Sequence, residues 1–203
     1  SEKNIGKYFR NNRNRKIRII TKLTPYNYRY SNENLKNEIE KNIKITLKNL
    51  RLKKLDTILI HKASNLEKNN KLIWKYLIDL KRKKIVKNLG ISIQNVKELR
   101  KALSLKDVNV IKITYNVLNK KKKKKLPKKI KKKKKRRLEI HARSIFLQGL
   151  LVIRKRKYWK KTKATNLKEI DNWLCIKSEQ FKRKSIIDLC IAYVKSQNWI
   201  DGI

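Results

Sequence analysis

The sequence has no methionine, two prolines, four glycines and two cysteines in 203 residues. Each shortage excludes something. Without methionine, Ser1 is not an ordinary start, and Trp199-Ile200-Asp201-Gly202-Ile203 reads as the opening of a strand that is cut off, so a piece truncated at both ends is expected. With so little glycine there is no Gly-rich turn to cradle a phosphate between a strand and its helix, which counts against a doubly wound dinucleotide fold. Cys175 and Cys190 lie in helical patterns and lack C-x-x-C spacing. They are expected to be reduced and buried in a cytoplasmic setting, with no metal site. There is no secretory signal and no apolar run long enough to span a bilayer.

Acidic residues are also scarce. Fifteen Asp and Glu stand against 59 Lys and Arg, a formal net charge of +44. Such an excess normally signals nucleic acid or another polyanion. A compositional reading stands beside it. The chain is rich in Lys, Asn and Ile, which have A/T-rich codons, and surface positions in an A/T-biased genome drift towards lysine without any anionic partner.

Hydrophobic residues make up 39% of the chain, enough for one domain with a sizeable core. The stretch around which the rest is organised is Leu55-Asp56-Thr57-Ile58-Leu59-Ile60-His61. A short apolar run of this kind reads as a strand buried on both faces, as in a parallel sheet. It ends in a histidine at the carboxyl end, where α/β folds place their chemistry. The bland alternative for a lone histidine is a satisfied structural residue.

The same unit recurs along the chain. Residues 1–10 read as a helix with Ile5 and Phe9 on one face, and 17–22 as a strand ending at Lys22. Ser31 is a helix N-cap before Leu35, Ile39, Ile43, Leu47 and Leu50, which repeat at helical spacing. After the central strand come a helix over 72–80, a strand over 85–91 leading to Ser92, a helix over 96–103 and a strand over 108–113 leading to Tyr115-Asn116. Beyond a lysine-rich segment come a strand over 138–142 and helices over 166–176 and 185–195. Strand–helix alternation of this kind means βαβ units and a parallel sheet. Near-uniform spacing favours an α/β fold of the closed (β/α)8 TIM-barrel type over an open doubly wound sheet. In such a barrel Lys22, His61, Ser92, Asn116 and Arg143-Ser144 all fall at strand carboxyl ends, facing one mouth. For Ser92, Asn116 and Ser144, simple strand-end hydrogen bonding is the competing reading.

Glu139-Ile140-His141-Ala142-Arg143-Ser144-Ile145-Phe146-Leu147-Gln148-Gly149-Leu150-Leu151 resembles the penultimate strand and loop of the aldo/keto reductase superfamily. Lys54 to His61 resembles its histidine strand, Val86 to Ser92 the strand after that one, and Ile20-Thr21-Lys22-Leu23 its lysine strand. Ser1-Glu2 with Ile5-Gly6 resembles the residues just after the family's Tyr-Gly segment. The resemblance is collinear over nearly the whole chain. It implies a single β/α-barrel domain over 1–203, incomplete at both ends, from an enzyme that moves a hydride between a nicotinamide cofactor and a small carbonyl or alcohol substrate. It implies NADP, with NAD as the alternative.

Of the family's Asp, Tyr, Lys and His, the resemblance carries over two as catalytic. Lys22 matches the lysine whose charge lowers the pKa of the tyrosine acid, and His61 the histidine that orients the carbonyl. The aspartate and tyrosine are expected before Ser1 and the cofactor-phosphate loop after Ile203, so the chain alone should not complete the reaction. The cofactor-binding positions carried over are Ser92, Lys112, Arg143, Ser144 and Phe146. Two of them depart from the pattern. Lys112 stands where the family often has glutamine, and Arg143 where many members have an aromatic ring.

The tract Lys120–Arg137 holds only Leu126 and Ile130 as apolar anchors and is interrupted by Pro127. A block of like charge tends to remain solvated, and interleaved aromatics that would stack bases are absent. Arg154 to Lys163, with Tyr158 and Trp159, is the better stacking candidate. The alternative function is therefore a basic, non-catalytic nucleic-acid-binding protein on a barrel scaffold, or non-specific polyanion binding through 120–137.

Overall fold

The computed structural model describes every residue except 13–16, 25–30, 62, 67–70, 120–129, 131–137, 154–155 and 160–165. The lysine tract therefore lies outside the described residues, apart from the fully buried Ile130. The basic stretch 154–163 is described only over 156–159.

In chain order the elements are α1 (Glu2–Asn11), β1 (Ile20–Lys22), α2 (Asn32–Leu50), β2 (Leu55–Ile60), a 3-10 turn (Ala63–Leu66), α3 (Leu72–Arg82), β3 (Val86–Ile93), α4 (Val96–Ser104), β4 (Val108–Thr114), β5 (Glu139–Arg143), α5 (Leu150–Ile153), α6 (Arg156–Trp159), α7 (Leu167–Gln180) and α8 (Ile186–Lys195). They group into two compact units, residues 1–112 with 136–138, and residues 113–135 with 139–203.

In the first unit the strands lie in the order β1-β2-β3-β4, with β1 parallel to β2 and β2 parallel to β3. Strand order that matches chain order, with a helix between each of these strands and the next, is the singly wound connectivity of a β/α barrel. A doubly wound sheet would reverse direction at a switch point. The fold class is thus α/β with parallel strands, and the described residues supply five strands of the barrel type.

Three of the helices start at a side-chain N-cap, at Ser31, Asn95 and Ser185. The Ser31 hydroxyl accepts from Asn34 N at 3.2 Å. Asn95 accepts from Glu98 N at 2.9 Å while the Glu98 carboxylate takes Gln94 N, a reciprocal cap. The apolar stripe of α2 buries Leu35, Ile39, Ile43 and Leu50. In α1 the outcome differs from the periodicity. Gly6 is buried and Ile5 is 40% exposed. The reason is a close helix crossing, because a Cβ on Gly6 would run into the Asn49 carbonyl oxygen. β1 is also shorter than the apolar run 17–22 suggests, beginning only at Ile20.

The registers are Lys22 opposite Leu59 and Leu59 opposite Gly90. Gly90 is the point of closest approach. A Cβ there would collide with the Leu59 side chain and the Val110 carbonyl, so β2, β3 and β4 meet through a missing side chain.

In the second unit the end of β4 lies beside β5, with Tyr115 N donating to Arg143 O at 3.1 Å. A parallel bridge joins His141 to Gly202, in line with the strand expected from Ile200. The core of this unit is Val117, Leu151, Trp159, Leu174, Leu189 and Cys190. Burial pushes the Cys190 thiol up to about 11, so it stays protonated and inert. No helix among the described residues is long and apolar enough to cross a membrane.

The scarcity of glycine has a structural consequence. Arg51, Lys71, Lys84, Asp107, Ser144, Leu147, Gln148 and Lys182 all take positive φ, where a side chain costs roughly 1–2 kcal/mol. Lys84→Gly (φ 57 between α3 and β3) is expected to stabilise the fold by about 1 kcal/mol, and Gly90→Ala to destabilise it by about 1–3 kcal/mol. Urea denaturation of the two variants reads both, and a neutral Gly90→Ala would mean that the strands do not approach as closely as described.

Candidate active site

The strand ends of the first unit are aligned by register. Lys22 closes β1 as an exposed residue level with Leu59. His61 comes directly after β2, two residues beyond Leu59, and is exposed. Because side chains alternate along a strand and parallel neighbours in register share a face, Lys22, Leu59 and Gly90 lie on one face. Ser92 lies two residues further along that face of β3, and it is only 2% exposed. On β4, Val110 meets Gly90, which puts Lys112 on the same face, half-buried.

Hydrogen bonding separates these polar residues. The Ser92 hydroxyl is buried with no hydrogen-bond partner, and the same holds for the Thr57 hydroxyl on the face of Leu59. A buried orphan hydroxyl costs about 1–3 kcal/mol. The two hydroxyls thus stand apart from the bonded polar groups of the unit as buried groups without a partner.

The polar positions of the second unit divide in the same way. Asn116 is 1% exposed and fully engaged. Its Nδ2 donates to Ser144 O at 3.3 Å and its Oδ1 accepts from Leu118 N at 3.1 Å. It therefore pins one loop to the next, as its bland reading has it. Arg143 ends β5 half-buried, and its Nε is buried without a partner. Ser144 takes φ 57, and Leu147, Gln148 and Gly149 take φ 48, 56 and 90. Left-handed backbone at this density stores strain. The loop is held by Leu147 N to Ser144 O at 2.9 Å and by Gly149 N and Leu151 N to Phe146 O at 3.0 and 3.2 Å. Phe146 packs against the core of its unit. Its side chain thus anchors the loop.

Tyr115 carries no site signal in the sequence, yet it organises this region. Its hydroxyl lies 3.2 Å from the Tyr193 hydroxyl and donates to Gln197 Oε1 at 3.3 Å. Its ring stacks on Tyr193 at 5.9 Å and meets Trp199 edge-on at 5.0 Å. Burial, and after it the bond to Tyr193, pushes its pKa well above that of a free tyrosine. Tyr193 and Gln197 lie 78 and 82 residues from Tyr115 along the chain, so no local pattern links them. Among the described residues no group of three His, Cys, Asp or Glu is placed to hold a metal ion.

The sequence model of the aldo/keto reductase family matches residues 1–201. No curated protein sequence matches the chain. Among solved structures, an aldo-keto reductase from Bacillus halodurans in its holo form is 18% identical, with a TM-score of 0.57 over 74% of this chain and 48% of its own. An aldo/keto reductase from Klebsiella pneumoniae, solved with NADP and acetate, is 12% identical, with a TM-score of 0.68 over the whole of this chain and 64% of its own. A glycerol dehydrogenase from Gluconobacter oxydans is 15% identical, with a TM-score of 0.69 over the whole of this chain and 66% of its own. The chain thus spans about half to two thirds of these structures' lengths, and at such identities the likeness shows the fold.

The contrast between orphan and engaged groups is measurable without any ligand. Ser92→Ala is expected to raise stability by about 1 kcal/mol, because it removes an unpaired buried hydroxyl. Asn116→Ala is expected to lower it by about 1–3 kcal/mol, because Ser144 O and Leu118 N lose a partner. Thermal melts of both variants make the comparison, and a destabilised Ser92→Ala would mean that the hydroxyl is structurally engaged.

Proposed function

The chain belongs to the aldo/keto reductase family, and from that premise we propose that residues 1–203 are a single partial barrel domain of an NADP-dependent oxidoreductase that interconverts small carbonyl compounds and alcohols. NAD is the alternative cofactor, and the cytoplasm the proposed setting. The observation that carries the reading is the register of β1 and β2, which brings Lys22 level with Leu59, two residues short of His61.

Lys22 and His61 are the proposed catalytic residues. The Lys22 ammonium lowers the pKa of a neighbouring tyrosine hydroxyl and so eases its proton transfer to the carbonyl oxygen. The His61 imidazole hydrogen-bonds that oxygen, fixes the approach of the carbonyl, and stabilises the negative charge that builds there. The nicotinamide, when bound, supplies or takes the hydride.

The residues present fit such a group. The unpartnered Ser92 hydroxyl is the proposed reader of the carboxamide. Lys112 lies on the same strand face, where an ammonium donates to an amide oxygen but offers no acceptor. Ser144 and the backbone around Phe146, in the left-handed loop, are the proposed contacts to the pyrophosphate, with Arg143 beside them. Ordering these groups before the ligand arrives lowers the entropy lost on binding.

In the intact protein, Lys22→Met and His61→Gln are each expected to lower kcat for NADPH-dependent aldehyde reduction by about 10²–10⁴-fold while circular dichroism and cofactor affinity are retained. Wild-type turnover in both variants would sink the assignment. The net charge of +44 favours a second role, non-specific polyanion binding through residues 120–137. It predicts an affinity for duplex DNA that falls steeply with salt and is lost with that tract, and binding no tighter than that of an unrelated protein of equal charge would leave the tract without a dedicated role.

A further inference from the structure

Within the second unit α7 and α8 pack against each other, yet their facing surfaces leave a hollow of about 460 Å³. Trp173 and Lys177 stand one helical turn apart on α7, and Leu189, Ala192 and Tyr193 recur at helical spacing on α8, so each set lies on one face of its helix. Val117 and Leu189, each 5% exposed, form the apolar wall of the hollow. Ala192 lines it with no more than a methyl group, which leaves the space open.

Three aromatic rings border this space. Trp173 and Tyr193 are half-buried and pack against the core of the unit. Phe181, just after α7, is 56% exposed. The Tyr193 ring is held in place by its stacking on Tyr115 at 5.9 Å. Two of the polar lining groups are taken up within the fold. The Ser196 hydroxyl and Gln197 Nε2 each donate to Tyr193 O at 2.9 Å, and Gln197 Oε1 accepts from the Tyr115 hydroxyl.

The cations are different. Lys177 Nζ donates to Gln180 Oε1 at 2.6 Å and lies 6.0 Å from the centre of the Phe181 ring. An ammonium has three donors, so that bond leaves others for a ligand. Arg183 is exposed and pairs with no carboxylate among the described residues. No Asp or Glu among them lines the hollow. Glu179 borders the neighbouring hollow, which Arg183 also lines, and not this one.

We propose that this hollow binds a small aromatic anion, with its ring among Trp173, Phe181 and Tyr193 and its acidic group on Lys177 and Arg183. The volume lies within the range of small-molecule sites, about 300–1,000 Å³. Flat rings gain from offset and edge-to-face contact with aromatic side chains. A carboxylate or sulfonate accepts charge-assisted hydrogen bonds from both cations. The net charge of +44 attracts any anion to the surface, so the aromatic walls are what select among anions here. The hollow contains none of the proposed catalytic or cofactor-binding residues, and the proposal does not depend on the reductase reading.

Isothermal titration calorimetry of the intact protein with 2-naphthoate, its neutral counterpart 2-naphthamide, and acetate tests the site. One molecule of 2-naphthoate is expected to bind, at least about tenfold more tightly than either of the others. The double variant Lys177→Gln, Arg183→Gln is expected to weaken 2-naphthoate by about tenfold and to change 2-naphthamide by less than about threefold. Ala192→Phe, which fills the space, is expected to abolish binding of both. If circular dichroism shows that Ala192→Phe does not fold, the double variant decides alone, since the fold does not enclose its two side chains. Equal affinity for 2-naphthoate and acetate overturns the proposal, because net charge alone would then account for the binding. Equal affinity for 2-naphthoate and 2-naphthamide overturns it as well, and so does 2-naphthoate binding that ignores the double variant or a folded Ala192→Phe. Absence of any binding heat in the wild type also overturns it.

Discussion

Everything proposed for the first unit depends on one close approach. Gly90 lets β3 pass the Leu59 side chain on one side and the Val110 carbonyl on the other. That contact locks the registers that set Lys22, Leu59 and Gly90 level. In a parallel sheet a slip of one residue turns every side chain to the opposite face. A slip in β3 would carry Ser92 away from the face that Lys22 occupies. The positions of the proposed site residues on these strands are thus fixed by packing below them, the usual division of labour in β/α barrels.

The polar atoms of the two units fall into two groups. Asn95, Asn109, Asn116, Tyr115 and Asp201 are engaged in bonds that cap helices or tie strands and loops together. Ser92 and Arg143 hold buried atoms without partners. Both orphans sit at or within one residue of a strand's carboxyl end, and Arg143 adjoins the run of left-handed residues at 144 and 147–149. At Arg143 an unpaired donor thus lies beside stored backbone strain. The other orphans, Thr57, Trp74 and Trp199, lie away from strand carboxyl ends, and nothing in their surroundings gives them the same meaning.

Most of the architecture was legible because its signals are local. Apolar runs flanked by caps located five strands and the long helices to within a few residues, and strand ends came with them. The orientation of α1 was not legible, because a helix crossing at Gly6 depends on where the Asn49 carbonyl arrives from another element. Periodicity put Ile5 and Phe9 on one face, but Gly6, with no side chain to rank, took the buried place. The Tyr115–Tyr193–Gln197 cluster escaped for the same reason, since its members meet only after the chain has folded back. The short helices α5 and α6 span four residues each, below the length at which a 3.6-residue period shows. The candidate site was legible as a set of positions. Which of them are unpaired and which are bonded was not, because satisfaction is a property of neighbours in space.

The charge excess and the site respond to different pressures, and the structure separates them. Among the described residues the buried polar or charged side chains are Thr57, Ser92, Asn116 and Ser178, none of them cationic. Lysine and arginine therefore occupy positions where solvent reaches the charge, which is where compositional drift is tolerated most easily. Basic residues also occupy the turns. Positive-φ positions that glycine would fill without strain carry Arg51, Lys71, Lys84 and Lys182. Gly90 and Gly6 persist where a Cβ would strike backbone, a clash that no rotamer change relieves. A surface lysine then says little about function, since its position would accept almost any polar residue. A half-buried arginine whose Nε has no partner says more, because a buried donor left without an acceptor costs free energy that a solvated one does not.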